Sequence, residues 1–132
     1  MKTINPNAFY TPDHEWIYES KGNYYIGISE FAQELFGQIQ FVELAALDST
    51  CTSKKPYAIL ESDKSTYELC LPFDGVILGH NQTVLDQVSL INTAPYQSWL
   101  VCFNGPSQEE VSKLMTSKDY LDYIGVFFNK IK

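Results

Sequence analysis

Tyr57-Ala58-Ile59-Leu60-Glu61-Ser62-Asp63-Lys64-Ser65-Thr66-Tyr67-Glu68-Leu69-Cys70-Leu71-Pro72-Phe73-Asp74-Gly75-Val76-Ile77 is the stretch whose reading decides the fold. Two runs rich in β-forming residues flank a four-residue polar turn, which predicts a hairpin with Lys64 near its tip. A lysine placed there is open to any modifying enzyme, while the paired strands hold its backbone in a fixed place. Taken alone, a lysine at a hairpin tip is ordinarily a solvated charge, so the surroundings must decide. Glu61 lies three residues before Lys64, Pro72 eight after it and Gly75 eleven after it, and Val76-Ile77 resumes a strand.

Outward from the hairpin the chain continues in the same style. Short β-rich runs separated by Gly, Pro, Asn, Asp and Ser predict further strands at 15–19, 24–28, 39–44, 75–78 and 99–103, beside those at 57–61 and 66–71. The first two form a hairpin around Lys21-Gly22-Asn23, where Gly and Asn accept a positive φ. Ser29 is placed to cap a short helix with Phe31 and Leu35 on one face and Gly37 at its end. Ser107 and Glu110 have the spacing of a capping box, with Val111, Leu114 and Met115 as an apolar stripe. Ser117 is placed to cap another short helix through Tyr120 and Leu121. Val126 to Lys132 reads as an apolar patch followed by lysines, which either packs on the body or meets a partner. No internal repeat or low-complexity tract interrupts the chain.

Composition narrows the function. The 132 residues suffice for one domain, and 45% hydrophobic against 19% charged residues is a globular balance. No apolar run is long enough to span a bilayer, so a soluble protein is expected. Sixteen acids oppose nine cations, all of them lysines, for a net charge of -7. Such a chain repels a polyanion and lacks arginine forks for phosphate, which excludes nucleic acid as a partner and favours a basic protein surface over a membrane. Cys51, Cys70 and Cys102 form an odd set without paired spacing, which suggests core thiols and neither a disulfide framework nor a metal site. The opening residues have neither a secretory nor a mitochondrial pattern, so the expected compartment is a reducing cytoplasm. Asn81-Gln82-Thr83 is then a polar loop and not a glycosylation site.

With these residues in place, the hairpin resembles the attachment hairpin of lipoyl-bearing domains. Biotin carriers share the architecture but flank their lysine with methionines, whereas Asp63 and Ser65 stand here, and lipoic acid is the better match. Tyr10-Thr11-Pro12-Asp13-His14-Glu15-Trp16-Ile17, Ile26-Gly27-Ile28-Ser29, Phe31-Ala32-Gln33, Gly37 and Phe41-Val42-Glu43-Leu44 are similar in order and spacing to the H proteins of the glycine cleavage system. Leu90-Ile91-Asn92, Pro95-Tyr96, Trp99-Leu100 and the helix from Ser117 to Tyr120 extend the likeness to about residue 124. The resemblance implies a mainly β, barrel-sandwich hybrid fold of the lipoyl and biotinyl type, with short helices after the first hairpin and at the C-terminus. It also implies a single lipoyl-carrier domain over 1–132, with a family-like core at about 10–124 and a short tail at 125–132.

The resemblance implies a role as well. A lipoyl group in amide linkage on Lys64 would shuttle the aminomethyl group of glycine, changing the net charge from -7 to -8. The implied partners are a pyridoxal-phosphate glycine decarboxylase, an aminomethyltransferase, dihydrolipoyl dehydrogenase, and a lipoate ligase or octanoyltransferase that loads the arm. The chain would be a non-catalytic carrier without a metal, and Glu15 and Glu68 stand where the family places acids near the arm. His14, His80 and the three cysteines belong to no local catalytic motif. Asp63 and Ser65 depart from the family, which has a small apolar residue and alanine there, and Ala94 and Gln97-Ser98 also differ. These departures motivate an alternative, an H-like carrier or donor serving other lipoate-dependent complexes. An unmodified interaction module is a third reading.

Overall fold

The computed structural model describes the backbone of residues 4–131 and the side chains of residues 4–125. Among these, strands form at Phe9–Tyr10 (β1), Glu15–Ser20 (β2), Asn23–Ile28 (β3), Ile39–Leu44 (β4), Thr50–Cys51 (β5), Ala58–Ser62 (β6), Thr66–Leu69 (β7), Gly75–His80 (β8) and Val101–Asn104 (β9). They build a six-stranded sheet in the order β1-β2-β3-β9-β8-β5 and a three-stranded sheet in the order β4-β6-β7. Ile17, Ile26, Leu60, Leu71, Ile77 and Phe103, all fully buried, fill the main core with contributions from both sheets. Each such side chain contributes about 1.5–3 kcal/mol by leaving water. The mainly β expectation holds.

Local chemistry explains where the elements differ from the expected bounds. Ser20 pairs with Asn23, so the first hairpin turns on two residues, Lys21 at φ 53° and Gly22 at φ 84°. That mirror-image turn follows the strand twist, and it leaves Asn23 in the strand. β7 stops at Leu69, two residues before expected, and the chain bends at Pro72 and Phe73. The two-residue strands β1 and β5 were too short to show a period.

Helices form at Glu30–Phe36 (α1), Gln82–Asp86 (α2), Leu90–Thr93 (α3), Gln108–Ser112 (α4) and Ser117–Ile131 (α5). The Ala32 N–H donates to Ser29 Oγ at 3.1 Å, as the cap requires. The buried face of α1 is not Phe31 with Leu35, however. Leu35 is 40% exposed, while Phe31 and Ala32 are buried and Phe36 stacks on Tyr67 at 4.1 Å. Ser107 and Glu110 close the capping box of α4. Thr116, not Ser117, caps α5, accepting from the Asp119 N–H at 3.2 Å. The helix runs through the expected tail to Ile131 and is not short; the side chains of the apolar patch from 126 onward lie outside the described residues. α2 and α3, between β8 and β9, are additions that the expectation of helices after the first hairpin and at the C-terminus did not contain. No helix among the described residues is long and apolar enough to cross a membrane.

A second cluster holds α1 and α5 against the large sheet: Tyr10, Trp16, Phe31, Tyr120 and Ile124. Tyr10 and Tyr120 stack at 4.4 Å, and the Tyr120 hydroxyl lies 2.7 Å from Ser29 Oγ and 3.0 Å from His14 Nδ1. The residue that caps α1 is therefore fixed from the C-terminal helix, and α1 leads directly to the hairpin of interest.

Candidate functional site

The turn between β6 and β7 is templated by one side chain. Ser62 Oγ accepts from the Lys64 N–H at 3.0 Å and the Ser65 N–H at 3.2 Å, and the Ser62 N–H donates to the Ser65 carbonyl at 2.9 Å. Serine suits this position because its hydroxyl satisfies turn donors that no strand partner reaches. Lys64 is exposed, outside any helix, and its ammonium has no ion pair or hydrogen bond to a described residue.

The linker from α1 to β4 braces this turn. The Gln38 N–H donates to Asp63 Oδ1 and the Asp63 N–H donates to the Gln38 carbonyl, each at 3.2 Å. Asp63 thus brings a carboxylate beside the lysine but uses one oxygen to clip the turn to its neighbour. Asn92 of α3 locks the linker in turn. Its amide donates to the Gly37 carbonyl at 2.9 Å and Gln33 Oε1 at 3.0 Å, and its Oδ1 accepts from the Ile39 N–H at 2.9 Å. The Phe36–Tyr67 stack adds an aromatic tie between α1 and β7.

Gly37 makes the approach possible. Its φ of 87° lies in a region that other residues enter at a cost of about 1–3 kcal/mol. A Cβ there would sit 2.6 Å from Asp63 Oδ1 and 3.2 Å from Lys64 Cδ, so the lysine stem passes directly over the glycine. Gly37→Ala is expected to lower stability by about 1–2 kcal/mol in urea denaturation and to speed amide exchange at Gln38. Unchanged exchange there would show that the clip does not depend on the glycine.

Glu15 is placed quite differently. Thr11 Oγ1 accepts from the N–H groups of Asp13 and Glu15, and His14 takes a φ of 70°, so the segment turns sharply and directs Glu15 inward. Its carboxylate is 1% exposed, accepting from Thr11 Oγ1 at 2.9 Å and from the Tyr57 hydroxyl at 2.5 Å. Burial lifts its acidity constant to about 7, against the two hydroxyl bonds that favour the charged form and with the help of the Asp13 charge. The Tyr57 phenol is pushed up in turn by burial and by the Glu15 charge. Tyr57 precedes β6 and Lys64 lies two residues beyond its other end, and the five residues of β6 alone span roughly 16 Å. Glu15 is bonded beside the end of β6 that is away from Lys64.

Glu68 is exposed on β7, opposite Ile59, without a hydrogen bond to a described residue. Burial raises the Cys70 thiol, helped by the charges of Glu15 and Glu68, so it is held protonated and is a poor nucleophile. His80 Nε2 is 2.7 Å from the Ala45 carbonyl. Burial lowers the His14 imidazole, which packs against Phe31 and Tyr123. The described residues contain no group of metal-ligating side chains. Sequence reasoning missed Gln38, Tyr57 and the brace by Asn92. Only Asn92 carried a signal, as a polar residue inside the family-like run Leu90-Ile91-Asn92.

What this arrangement offers is an accessible amine on a turn braced by Ser62, Asp63 and Gln38. Residues 8–126 match the family model described as glycine cleavage H-protein. A glycine cleavage system H protein of Prochlorococcus marinus is 39% identical over 115 residues, covering 86% of this chain and 89% of that protein. H protein 1 of Caldanaerobacter subterraneus is 31% identical over 94% of this chain and 98% of its own length. The crystal structure of the Mycobacterium marinum H protein superposes with a TM-score of 0.81 at 29% identity, covering 92% of this chain and 99% of that one. A match over nearly the whole length, in sequence and in shape, makes this chain a member of the glycine cleavage H-protein family.

Proposed function

We propose that this chain is the lipoyl carrier of glycine cleavage, with the lipoyl group in amide linkage on Lys64. The observation that carries the reading is the exposed, unpaired Lys64 amine on a turn held by Ser62, Asp63 and Gln38. A primary amine in water with no ion pair to break fits acylation. In that step the neutral amine attacks an activated acyl carbonyl, a C–N bond forms, the bond to the adenylate or thioester leaving group breaks, and the amine loses a proton. A lipoate ligase supplies the lipoyl donor; an octanoyltransferase would supply an octanoyl group, which becomes lipoyl only after a separate enzyme has inserted two sulfur atoms. When bound, the group supplies a disulfide that takes up the aminomethyl unit of glycine and a dithiol that is later reoxidised.

The chain's own contribution is placement. Two strands and the brace from Asn92 fix the anchor, so the tether searches a small volume and meets successive enzymes at high effective concentration. Those enzymes are a pyridoxal-phosphate glycine decarboxylase, an aminomethyltransferase and dihydrolipoyl dehydrogenase. Of the two carboxylates assigned to the reach of the arm, Glu68 presents open oxygens. Glu15 meets an ammonium only when Thr11 or Tyr57 yields its place, and it does so best above pH 7, where it is charged. The same reading keeps the chain in a reducing cytoplasm, supported by three free thiols.

The test is co-expression with a lipoate ligase, followed by exchange of labelled bicarbonate into glycine with purified decarboxylase. One lipoyl mass increment and rapid exchange are expected. A modified chain that supports no exchange would reassign it to another lipoate-dependent complex, and a chain that is never modified would remove the reading altogether.

A further inference from the structure

The outer face of the small sheet holds a feature that the carrier role leaves unused. Ala58, Leu60 and Leu69 point into the core, so the alternate residues point outward. The pairing aligns them in two rows: Phe41, Glu61 and Thr66 nearest the attachment turn, then Glu43, Ile59 and Glu68. Phe41 is 65% exposed, the most open of the described large hydrophobic residues, and Ile59 on the neighbouring strand is only half-buried. A register shift between Ile39 and Phe41 produces this, turning a phenylalanine out beside Val42, which packs on the core. Glu43, Glu61 and Glu68 are all exposed, and no cation occupies either row.

We infer that Phe41 and Ile59, rimmed by Glu43, Glu61 and Glu68, form the surface on which the enzyme that acylates Lys64 docks. The inference rests on the proposed lipoylation of Lys64. An apolar centre with an acidic rim fits a partner that presents an apolar recess bordered by lysine or arginine. The choice among partners follows from reach. Enzymes that act on the loaded arm work at the end of a long tether and need not cover its root. The acylating enzyme must bring its donor carbonyl to the lysine nitrogen itself, and Glu61 and Thr66 are the last paired residues before that turn. Its footprint therefore overlaps the first row, and Phe41 lies in that row.

The test uses the purified, unmodified full chain as substrate for a lipoate ligase with lipoate and ATP, with initial rates taken over a range of carrier concentration. Phe41→Ala is expected to raise KM about tenfold with little change in kcat. Glu43→Lys should raise KM several-fold, and higher salt should raise the KM of the wild type while affecting Glu43→Lys less. Phe41 is mostly in water, so the urea midpoint should stay put and separate docking from folding. A KM for Phe41→Ala within twofold of a normally modified wild type would overturn the inference. So would a wild-type dimer that Phe41→Ala dissociates without changing KM, which would assign the face to a second copy of the chain. A wild type that the ligase never modifies would fail the underlying lipoylation instead.

Discussion

Lys64→Arg is expected to remove the lipoyl increment entirely while leaving the fold as stable as before. Arginine keeps the charge, the length and the exposed position, but its guanidinium does not give up a proton near neutral pH and cannot act as the acylated nucleophile. The side chain makes no bond to a described residue, so stability should change by less than about 0.5 kcal/mol. Intact mass after co-expression with the ligase checks the first statement and a urea titration the second. Exchange of bicarbonate into glycine should fall to the level measured with no carrier, since the arm has no other anchor. A modified Lys64→Arg chain would place the group on another of the nine lysines, and the braced turn would lose its meaning.

The second large effect belongs to Glu15 and depends on pH. Its acidity constant is 4.5 in an unfolded chain and about 7 in the fold. Between these values the folded state holds a proton that the unfolded state has released, so stability falls as pH rises, and the loss is complete above about pH 7. At about 1.4 kcal/mol per unit the loss amounts to about 3 kcal/mol. His14 acts in the opposite sense. Burial lowers its constant, the unfolded chain binds the extra proton, and stability is lost as pH falls. The comparison of wild type with Glu15→Gln cancels the histidine and isolates the carboxylate.

Glutamine offers one acceptor and one N–H₂ to two hydroxyls that both donate to Glu15 in the wild type. At pH 5 the wild-type carboxyl is itself protonated and offers one carbonyl and one O–H to the same two hydroxyls, so the variant should match its stability within about 1 kcal/mol. By pH 8 the variant should be the more stable of the two by up to about 3 kcal/mol, since only the wild type carries the buried charge. Parallel stability curves across this range, measured by urea unfolding, would show that Glu15 ionises at its ordinary value. Glu15→Ala should lose about 3 kcal/mol at pH 5, leaving the hydroxyls of Thr11 and Tyr57 without their acceptor in a small cavity.

The sequence made the hairpin around Lys64 legible because strand alternation, the turn residues and the offsets of Pro72 and Gly75 are all local. The caps at Ser29 and Ser107 were legible for the same reason: a hydroxyl reaching N–H groups two or three residues away leaves a fixed spacing. The burial of Glu15 was not, since its acceptors serve Tyr57, 42 residues distant, and no short-range pattern records that pairing. The clip of Asp63 to Gln38 was hidden for a further reason. It uses the backbone of Gln38, which any residue would supply. Phe41 beside Val42 reads as a continuous apolar run, and only the bulge in β4 shows which of the two faces water.

The brace from Asn92 sets an order of events in biosynthesis. When the ribosome has completed β7, the two strands around Lys64 exist, yet the linker that steadies their turn has nothing to hold it. The bonds that hold the linker need Asn92, so they can form only after the chain has been synthesised past that residue. Under the proposed lipoylation, only a chain synthesised past Asn92 can present the fully braced turn to the loading enzyme.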